Sequence, residues 1–555
     1  MFPPNLERAV SHVQKPGRYV DGEWNAVRKE RATVKAALAL CYPDTYEVGM
    51  SRLEYQVIYR AVNDSPDYLA ERAFTPWADM AAELRNAGEP LYTLESGSPV
   101  AGFDLVAFLL GRPTTYVNLL ESLDLAGLPS LAADRDASQP PVLGMSALNV
   151  NWEPLSGFLD LCIVGEPETA LFALLDLARP GGTASKSEFL ARAAQIDGVY
   201  VPSFYDVVLA SDGSLSSVAP VCKQAPAEVT WLKHEALKSP LTNPIVPNLE
   251  VFQDRGTIEI QRGGRQSGAA TQAHSVGEVV AAIDEMVSRC GYREIALVRP
   301  NDFSVLMEIA RAVRAKYRPE ELVLQIPAIE IELEEPRGAA RAVDSATQAL
   351  AMGWSSLRFA WEAGRPNEKP EALERVVEVL GQVQALGHQT SGKRPRLHLE
   401  VSNFTAQPGA SSEHQSMSPP EELRERLMTL RKLVRRVGAQ LSMTDPDLSL
   451  VEAALRSGDR RVGAVVHRAW QEGNCFSDWT GRFDLNRWTL VFEEAGVDLQ
   501  SVTRSRTPDE VLPWAHVGVL TRTHPTSIGR CRVQPCPVCE ALGSDTASAA
   551  ASPKG

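Results

Sequence analysis

VKAALALCYPDTYEVGMS, residues 34–51, is the stretch whose reading decides the fold. VKAALALCYPD reads as a strand, TYEVGMS as the loop that leaves it, and 52–62 as an amphipathic helix. Outward from it, further strands are expected at 91–94, 103–110, 142–146 and 161–164, with helical periodicity between them, as at 116–125 and 168–178. Strands alternating with helices at this spacing imply a doubly wound parallel sheet, whose ligands sit at the carboxyl ends of the strands. The first unit is therefore a Rossmann-like α/β domain of the nucleotide- or cofactor-binding type over 31–180, preceded by an N-terminal extension, 1–30.

Beyond it, 181–250 is rich in Gly, Pro and Ser, with short β-like pieces at 199–208 and 218–221, and reads as a connector with a small hairpin. A second βα region covers 251–405. Strands are expected there at 257–260, 295–298, 322–326, 356–361 and 397–401, and helices at 275–290, 303–316, 337–352 and 370–386. About five strands make an open or partial barrel, short of the eightfold form. The polar stretch 406–420 opens a helical C-terminal domain, 406–541, with helices at 421–437, 448–457, 463–472 and 485–495. Asp445-Pro446-Asp447 announces the second of these. The Ala/Ser-rich tail, 542–555, is expected to be disordered.

The length of 555 residues exceeds one core, and about 150 residues per domain suggests three or four units. With 44% hydrophobic and 23% charged residues the chain is of the globular class. No window approaches the roughly 20 apolar residues of a membrane span, and the N-terminus lacks the apolar centre of a signal peptide, so a cytoplasmic protein is expected. A net charge of −14 argues against a protein that coats nucleic acid, which needs a basic surface. Arg431, Lys432, Arg435 and Arg436 read as the solvated face of a helix. Of eight cysteines, Cys41, Cys162, Cys222, Cys290 and Cys475 are scattered, mostly in apolar runs, as buried free thiols are.

Several constellations bear on chemistry. EIQRGGRQSGAATQAH, 259–274, is a glycine-rich loop expected between a strand and the helix that starts at 275, where a barrel-type fold builds its active site. It holds no cysteine and one imidazole, His274. At the end of the first strand, Asp44, Tyr46 and Gly49 have the spacing of Asp-x-His-x-x-Gly, by which one class of α/β domain takes the cobalt of cobalamin, with tyrosine in the histidine's place; Ser51 closes this loop. A strand-to-helix turn explains the same residues without a ligand. Gly144 and Ser146 lie where such domains keep glycines against the cofactor tail, although Met145 stands between them. Near the C-terminus, Cys531, Cys536 and Cys539 form a C-x4-C-x2-C run of zinc or iron-sulfur geometry, with His524 as one candidate fourth ligand; unligated thiols are the alternative. Trp470, Trp479, Trp488 and Trp514 suit core packing between short helices better than an aromatic platform. Glu166 and Glu168 suit an acid and base pair, or the charge preference of a helix N-terminus.

Along nearly its whole length the sequence resembles bacterial radical SAM proteins with an N-terminal cobalamin-binding-type domain and a cysteine-containing C-terminal extension. The resemblance is carried by VQKPGRYVDGEWN (13–25), YPDTYEVGMSRL (42–53), LDLAGLP (123–129), NPIVPNLEV (243–251), DPDLSLVEAALRSGDRRVGAVVHRAW (445–470) and LPWAHV (512–517), followed by the terminal cysteines. It implies that the loop after the first barrel strand should carry the Cys-x3-Cys-x2-Cys ligands of a 4Fe-4S cluster that binds S-adenosylmethionine. Aligned through Arg262-Gly263 and Gln272-Ala273, those positions fall on Gly264, Gly268 and Thr271, none of which supplies a thiolate, so the cluster and its reductive chemistry are expected to be lost. The second strand ends in RPND without the serines expected near SAM, and one barrel strand is expected to be absent, leaving a truncated partial (β/α) barrel of radical SAM type. The leading expectation is a degenerate member, a pseudoenzyme acting as a non-radical binding or scaffolding subunit that retains a corrinoid and pairs with an intact radical SAM paralogue or another protein. The alternatives are a cobalamin-dependent enzyme, for example a methyl transferase, working without the cluster, and an interaction module stabilised by zinc at the terminal cysteines.

Overall fold

The computed structural model describes residues 4–146, 149–211, 213–232, 239–264, 269–298, 303–335 and 337–518. The first strand of the chain, β1 (Ala36–Tyr42), is buried at every position, and alternate side chains feed two different cores. A strand covered on both faces belongs inside a parallel sheet flanked by helices, which is why its sequence is continuously apolar. Its sheet continues through β2 (Tyr68–Phe74), β3 (Leu105–Leu109), β4 (Val142–Met145), β5 (Leu161–Ile163) and β6 (Val199–Tyr200), in the spatial order β2-β1-β3-β4-β5-β6. All pairings are parallel except β5 with β6.

Short helices α1 (Pro4–Ser11) and α2 (Tyr46–Met50) precede the layer helices α3 (Leu53–Asp64), α4 (Ala78–Ala87), α5 (Tyr116–Leu125), α6 (Glu168–Ala178) and α7 (Lys186–Ala193). Ala36, Leu38, Leu40 and Tyr42 share a core with α3, α6 and α7; Ala37, Ala39 and Cys41 share the opposite one with α1, α4 and α5. Each such fully buried leucine or valine contributes about 1.5–3 kcal/mol relative to exposure. The expected helices at 116–125 and 168–178 appear at those bounds.

One expectation in this region needs correction, and one strand is not anticipated by the sequence reading. Residues 91–94 form a loop, not a strand: Thr93 N–H donates to Ser98 O and Gly97 N–H returns to Thr93 O, so the turn residues that follow close the backbone locally. β2, the edge strand beside β1, is disguised by its sequence, YLAERAF. Glu71 and Arg72 interrupt the apolar run, yet Arg72 is fully buried because its guanidinium is bonded by Glu23 and Glu95.

The connector carries an antiparallel hairpin of β7 (Tyr205–Leu209) and β8 (Leu215–Pro220). A second set of parallel strands follows: β9 (Gly256–Glu259) is succeeded by an antiparallel ribbon, β10 (Gln261–Gly264) with β11 (Ala269–Ala273), and then by β12 (Glu294–Val298), β13 (Val323–Gln325), β14 (Ile329–Glu330), β15 (Ser356–Ala363), β16 (Arg396–Asn403) and β17 (Gln440–Met443). They form two sheets, β13-β12-β9 and β14-β15-β16-β17, over one core shared with α8 (Val276–Cys290), α9 (Phe303–Lys316), α10 (Gly338–Ala351), α11 (Ala372–Ser391) and α12 (Pro420–Val437). In β15 and β16 one face is buried, Leu357, Phe359 and Trp361 beside Leu397, Leu399 and Val401, while the other carries Arg358, Glu362, His398 and Glu400. The polar side chains answer one another: Arg358 lies 3.7 Å from Glu400, and His398 Nε2 bonds Ser442 Oγ at 2.7 Å.

Within the 259–274 stretch, Gln261–Gly264 and Ala269–Ala273 are therefore paired strands where the sequence reading expects a loop, with Arg262 opposite Gln272 and Gly264 opposite Ala269. Strand β17 adds a sixth βα step to the five expected, if β13 and β14 are taken as one interrupted strand. It escapes sequence reading because four residues, none fully buried, are too few to establish a period. Helix α12, read from sequence with the C-terminal helices, places Leu427, Leu430 and Val434 in the core of this second region.

The remaining helices, α13 (Pro446–Ser457), α14 (Val462–Gln471), α15 (Leu485–Glu494) and α16 (Leu499–Thr503), return to the first sheet. Val451, Val465, Val466, Trp488 and Phe492 belong to the same core as α5 and the Cys41 face of β1. This explains α5, which buries eight of its ten residues: a helix covered on both sides is apolar nearly all round.

Candidate functional site

In a sheet of order β2-β1-β3 the strand connections diverge between β1 and β3, and a crevice opens at their carboxyl ends; such switch points are the usual ligand sites of parallel α/β sheets. The loops that form this crevice are Pro43-Asp44-Thr45 after β1 and Gly111-Arg112-Pro113-Thr114 after β3. Asp44 is 3% exposed, and its Oδ1 accepts from Thr45 N–H at 2.7 Å and from the indole Nε1–H of Trp479 at 3.1 Å. Burial and the neighbouring Asp478 carboxylate push the Asp44 acid up to about 7, against the opposing pull of those two hydrogen bonds and of Arg112. Asp478 Oδ2 in turn accepts from Arg112 and from Thr114 Oγ1, both at 3.2 Å.

The remaining residues expected at a cofactor are engaged inside the protein. Tyr46, in the position where the resemblance places a cobalt ligand, is 1% exposed; its hydroxyl donates to Glu23 at 2.8 Å and its ring packs edge-on against Phe74. Burial, with the Glu23 carboxylate beside it, raises that phenol far above its usual range. Gly49 is needed for close packing: a Cβ there would stand 2.4 Å from the Phe74 ring. Ser51 Oγ donates to Glu47 O and accepts from Gln253 N–H, tying the first domain to the start of the second region. At Gly144 a Cβ would meet Leu159 and Trp152, each at 2.7 Å, and Ser146 Oγ donates to Leu110 O at 3.0 Å.

A second cluster forms where β9 ends beside α6. Arg262 reaches Glu259 at 2.6 Å, Glu166 at 3.3 Å and Glu168 at 3.5 Å, next to a small cavity of about 30 Å³ lined also by Leu53, Val57 and Leu109. These carboxylates hold the guanidinium firmly charged despite its burial. Of the positions expected to have lost cluster cysteines, Gly264 and Thr271 lie in the two strands of the ribbon, and Gly268 lies outside the described residues. His274 is 8% exposed and its backbone N–H donates to Ile260 O; burial lowers its imidazole below the usual value. Cys531, Cys536, Cys539 and His524 also lie outside the described residues.

Sequence reading missed a third cluster. Glu153, 2% exposed, accepts from Tyr200 Oη at 2.5 Å and from Arg460 Nε at 2.7 Å, with His516 Nε2 at 3.5 Å. Burial opposes the Glu153 charge, but these partners outweigh it and hold the acid below its usual range. Arg460 and His516 come from two of the stretches quoted for the resemblance, so those stretches converge on the edge of the first sheet. Trp479 was read as a core side chain; its partner Asp44 is 435 residues away, and no local signal joins them.

Comparison with known proteins agrees with one part of this architecture. Residues 54–202, from α3 to just past β6, match the model of the family described as radical SAM proteins, N-terminal, which supports a radical SAM-related family for this chain. No curated protein matches it. Among solved structures, a ketoreductase from the first module of phoslactomycin biosynthesis in Streptomyces sp. HK803 aligns at 12% identity over 79% of this chain and 89% of that one, with a TM-score of 0.16. Among the described residues no helix is long and apolar enough to cross a membrane.

Proposed function

We propose that this radical SAM-related chain no longer performs cluster-based radical chemistry and acts as a binding or scaffolding subunit. The observation that carries the reading is chemical. Where the resemblance requires three thiolates, the sequence has Gly264, Gly268 and Thr271, and the nearest cysteines on either side are Cys222 and Cys290. Without thiolates a 4Fe-4S cluster has nothing to hold it there, and without its free iron SAM is not cleaved reductively.

On this reading the first sheet is the doubly wound, cobalamin-binding-type domain of the family. The β9 to β17 region is its partial barrel, whose helices cover one face and leave a polar inner face, as Arg358, His398 and Glu400 do. A cytoplasmic location, an intact radical SAM paralogue as partner and a metal at Cys531, Cys536 and Cys539 belong to the same proposal. The test is anaerobic reconstitution of the purified chain with iron and sulfide, followed by EPR and an assay for 5′-deoxyadenosine with SAM and a reductant. No SAM-responsive cluster signal and no 5′-deoxyadenosine are expected. Turnover of SAM refutes the proposal.

A further inference from the structure

We propose that residues 474–479, the loop between α14 and α15, are the resident occupant of the crevice between β1 and β3, and that the first domain is thereby closed to a corrinoid. The proposal stands on the geometry of the crevice and does not rest on the reading of the barrel.

Four contacts from this loop reach both lips of the crevice. Trp479 Nε1–H donates to Asp44 beyond β1, and the Asp478 carboxylate, 4% exposed, takes Arg112 and Thr114 beyond β3. Phe476 N–H donates to Asn118 Oδ1 at 2.8 Å, while the amide of the same Asn118 donates to Pro43 O at 3.0 Å, so one side chain joins the loop to the end of β1. The Trp479 ring sits against Trp77 at 5.0 Å and Phe252 at 5.9 Å, residues of the first domain and of the start of the second region. Phe476 is 2% exposed and adopts φ of 57°, a conformation that a bulky residue keeps only where its surroundings dictate it.

The residues at the mouth agree. The class of domain with Asp-x-His-x-x-Gly takes the cobalt through its histidine and keeps glycines against the cofactor tail. Here Tyr46 donates its hydroxyl inward to Glu23, and the space a Cβ would take at Gly49 and Gly144 is already filled by Phe74, Leu159 and Trp152. The crevice is thus occupied by the chain's own indole, carboxylate and backbone amide, although Thr45 Oγ1, Ser477 Oγ and Asp478 Oδ1 are buried without a hydrogen-bond partner among the described residues, and the domain serves as the seat of the C-terminal helices.

The test uses the full chain and hydroxocobalamin. After incubation and gel filtration, the absorption spectrum should show no retained corrinoid. Hydrogen exchange followed by mass spectrometry should show 474–479 protected by at least about a hundredfold over a free peptide, with or without the corrinoid. Retention near one corrinoid per chain, or free-peptide exchange in the loop, overturns the proposal. Trp479→Ala should speed exchange in 474–479 by about tenfold or more while leaving 36–42 protected; unchanged loop exchange overturns it. Should that variant not fold, Trp479→Phe, which keeps an aromatic ring and removes the indole donor, is read in the same way.

Discussion

Replacing Arg72 by methionine tests whether β2 and the Tyr46 position are held by a buried ionic core. Arg72 has no exposed side-chain surface; Nη1 and Nη2 each bond Glu23 at 2.7 Å, and Nε bonds Glu95 at 2.6 Å. Methionine fills much of the volume but leaves two carboxylates, with side chains 0% and 1% exposed, facing each other without their cation. Removing one partner of a buried ion pair costs about 3–5 kcal/mol. Protonation limits that cost, which gives the prediction its pH signature. In the native protein, burial pushes the Glu23 acid up but Arg72 more than offsets it, so its pKa lies below the unfolded value; at Glu95 burial prevails and the pKa is raised. The Glu23 contribution is thus present above the unfolded glutamate pKa and lost as pH falls through the folded one. In the variant both acids are raised, so folding favours their protonated forms and the variant weakens further as pH rises. Native-state hydrogen exchange of the β1 amides follows this sheet separately from the second core. The deficit of Arg72→Met should be about 3–5 kcal/mol at pH 8 and smaller at pH 5.5. A loss below about 1 kcal/mol, or one equal at both pH values, refutes the reasoning.

Three further outcomes are expected. Asp44→Asn keeps an acceptor for Trp479 and Thr45 but removes an acid raised to about 7, whose burial as a carboxylate costs stability progressively as pH rises from the unfolded value through that point. The variant should therefore be more stable than the native protein at pH 8, by at least about 1 kcal/mol, and equal to it near pH 4; thermal unfolding at the two pH values decides. Gly144→Val, with its Cβ directed at Leu159 and Trp152, should cost about 1–3 kcal/mol in the absence of any ligand, whereas a glycine reserved for a cofactor would leave the unliganded stability unchanged in a denaturation curve. Cys536→Ala with Cys539→Ala should abolish a stoichiometric zinc or iron content measured by elemental analysis of the native chain, since two thiolates of a four-ligand site are then missing.

Much of the fold was legible because its elements announce themselves within a few residues. The continuous apolar run of β1, the stripes of α5 and α6, and the helical pattern that begins at Ser275 ahead of α8 are properties of neighbours in the chain. The elements that escaped lacked such a local signature. β2 carries charges whose partners lie elsewhere, and β17 is too short to show a period. At the candidate site, the spacing of Asp44, Tyr46 and Gly49 was visible, but not the inward hydrogen bond of Tyr46 or the Phe74 ring against Gly49.

By itself the sequence determined the alternation of strands and helices and the lack of any cysteine between Cys222 and Cys290, because composition and local periodicity are written in order along the chain. Only the tertiary structure decided that α13 to α15 cover the first sheet and that Trp479 meets Asp44 across 435 residues. Such pairings arise from burying apolar helix faces and satisfying buried polar groups across the whole molecule, and neither requirement depends on distance along the sequence.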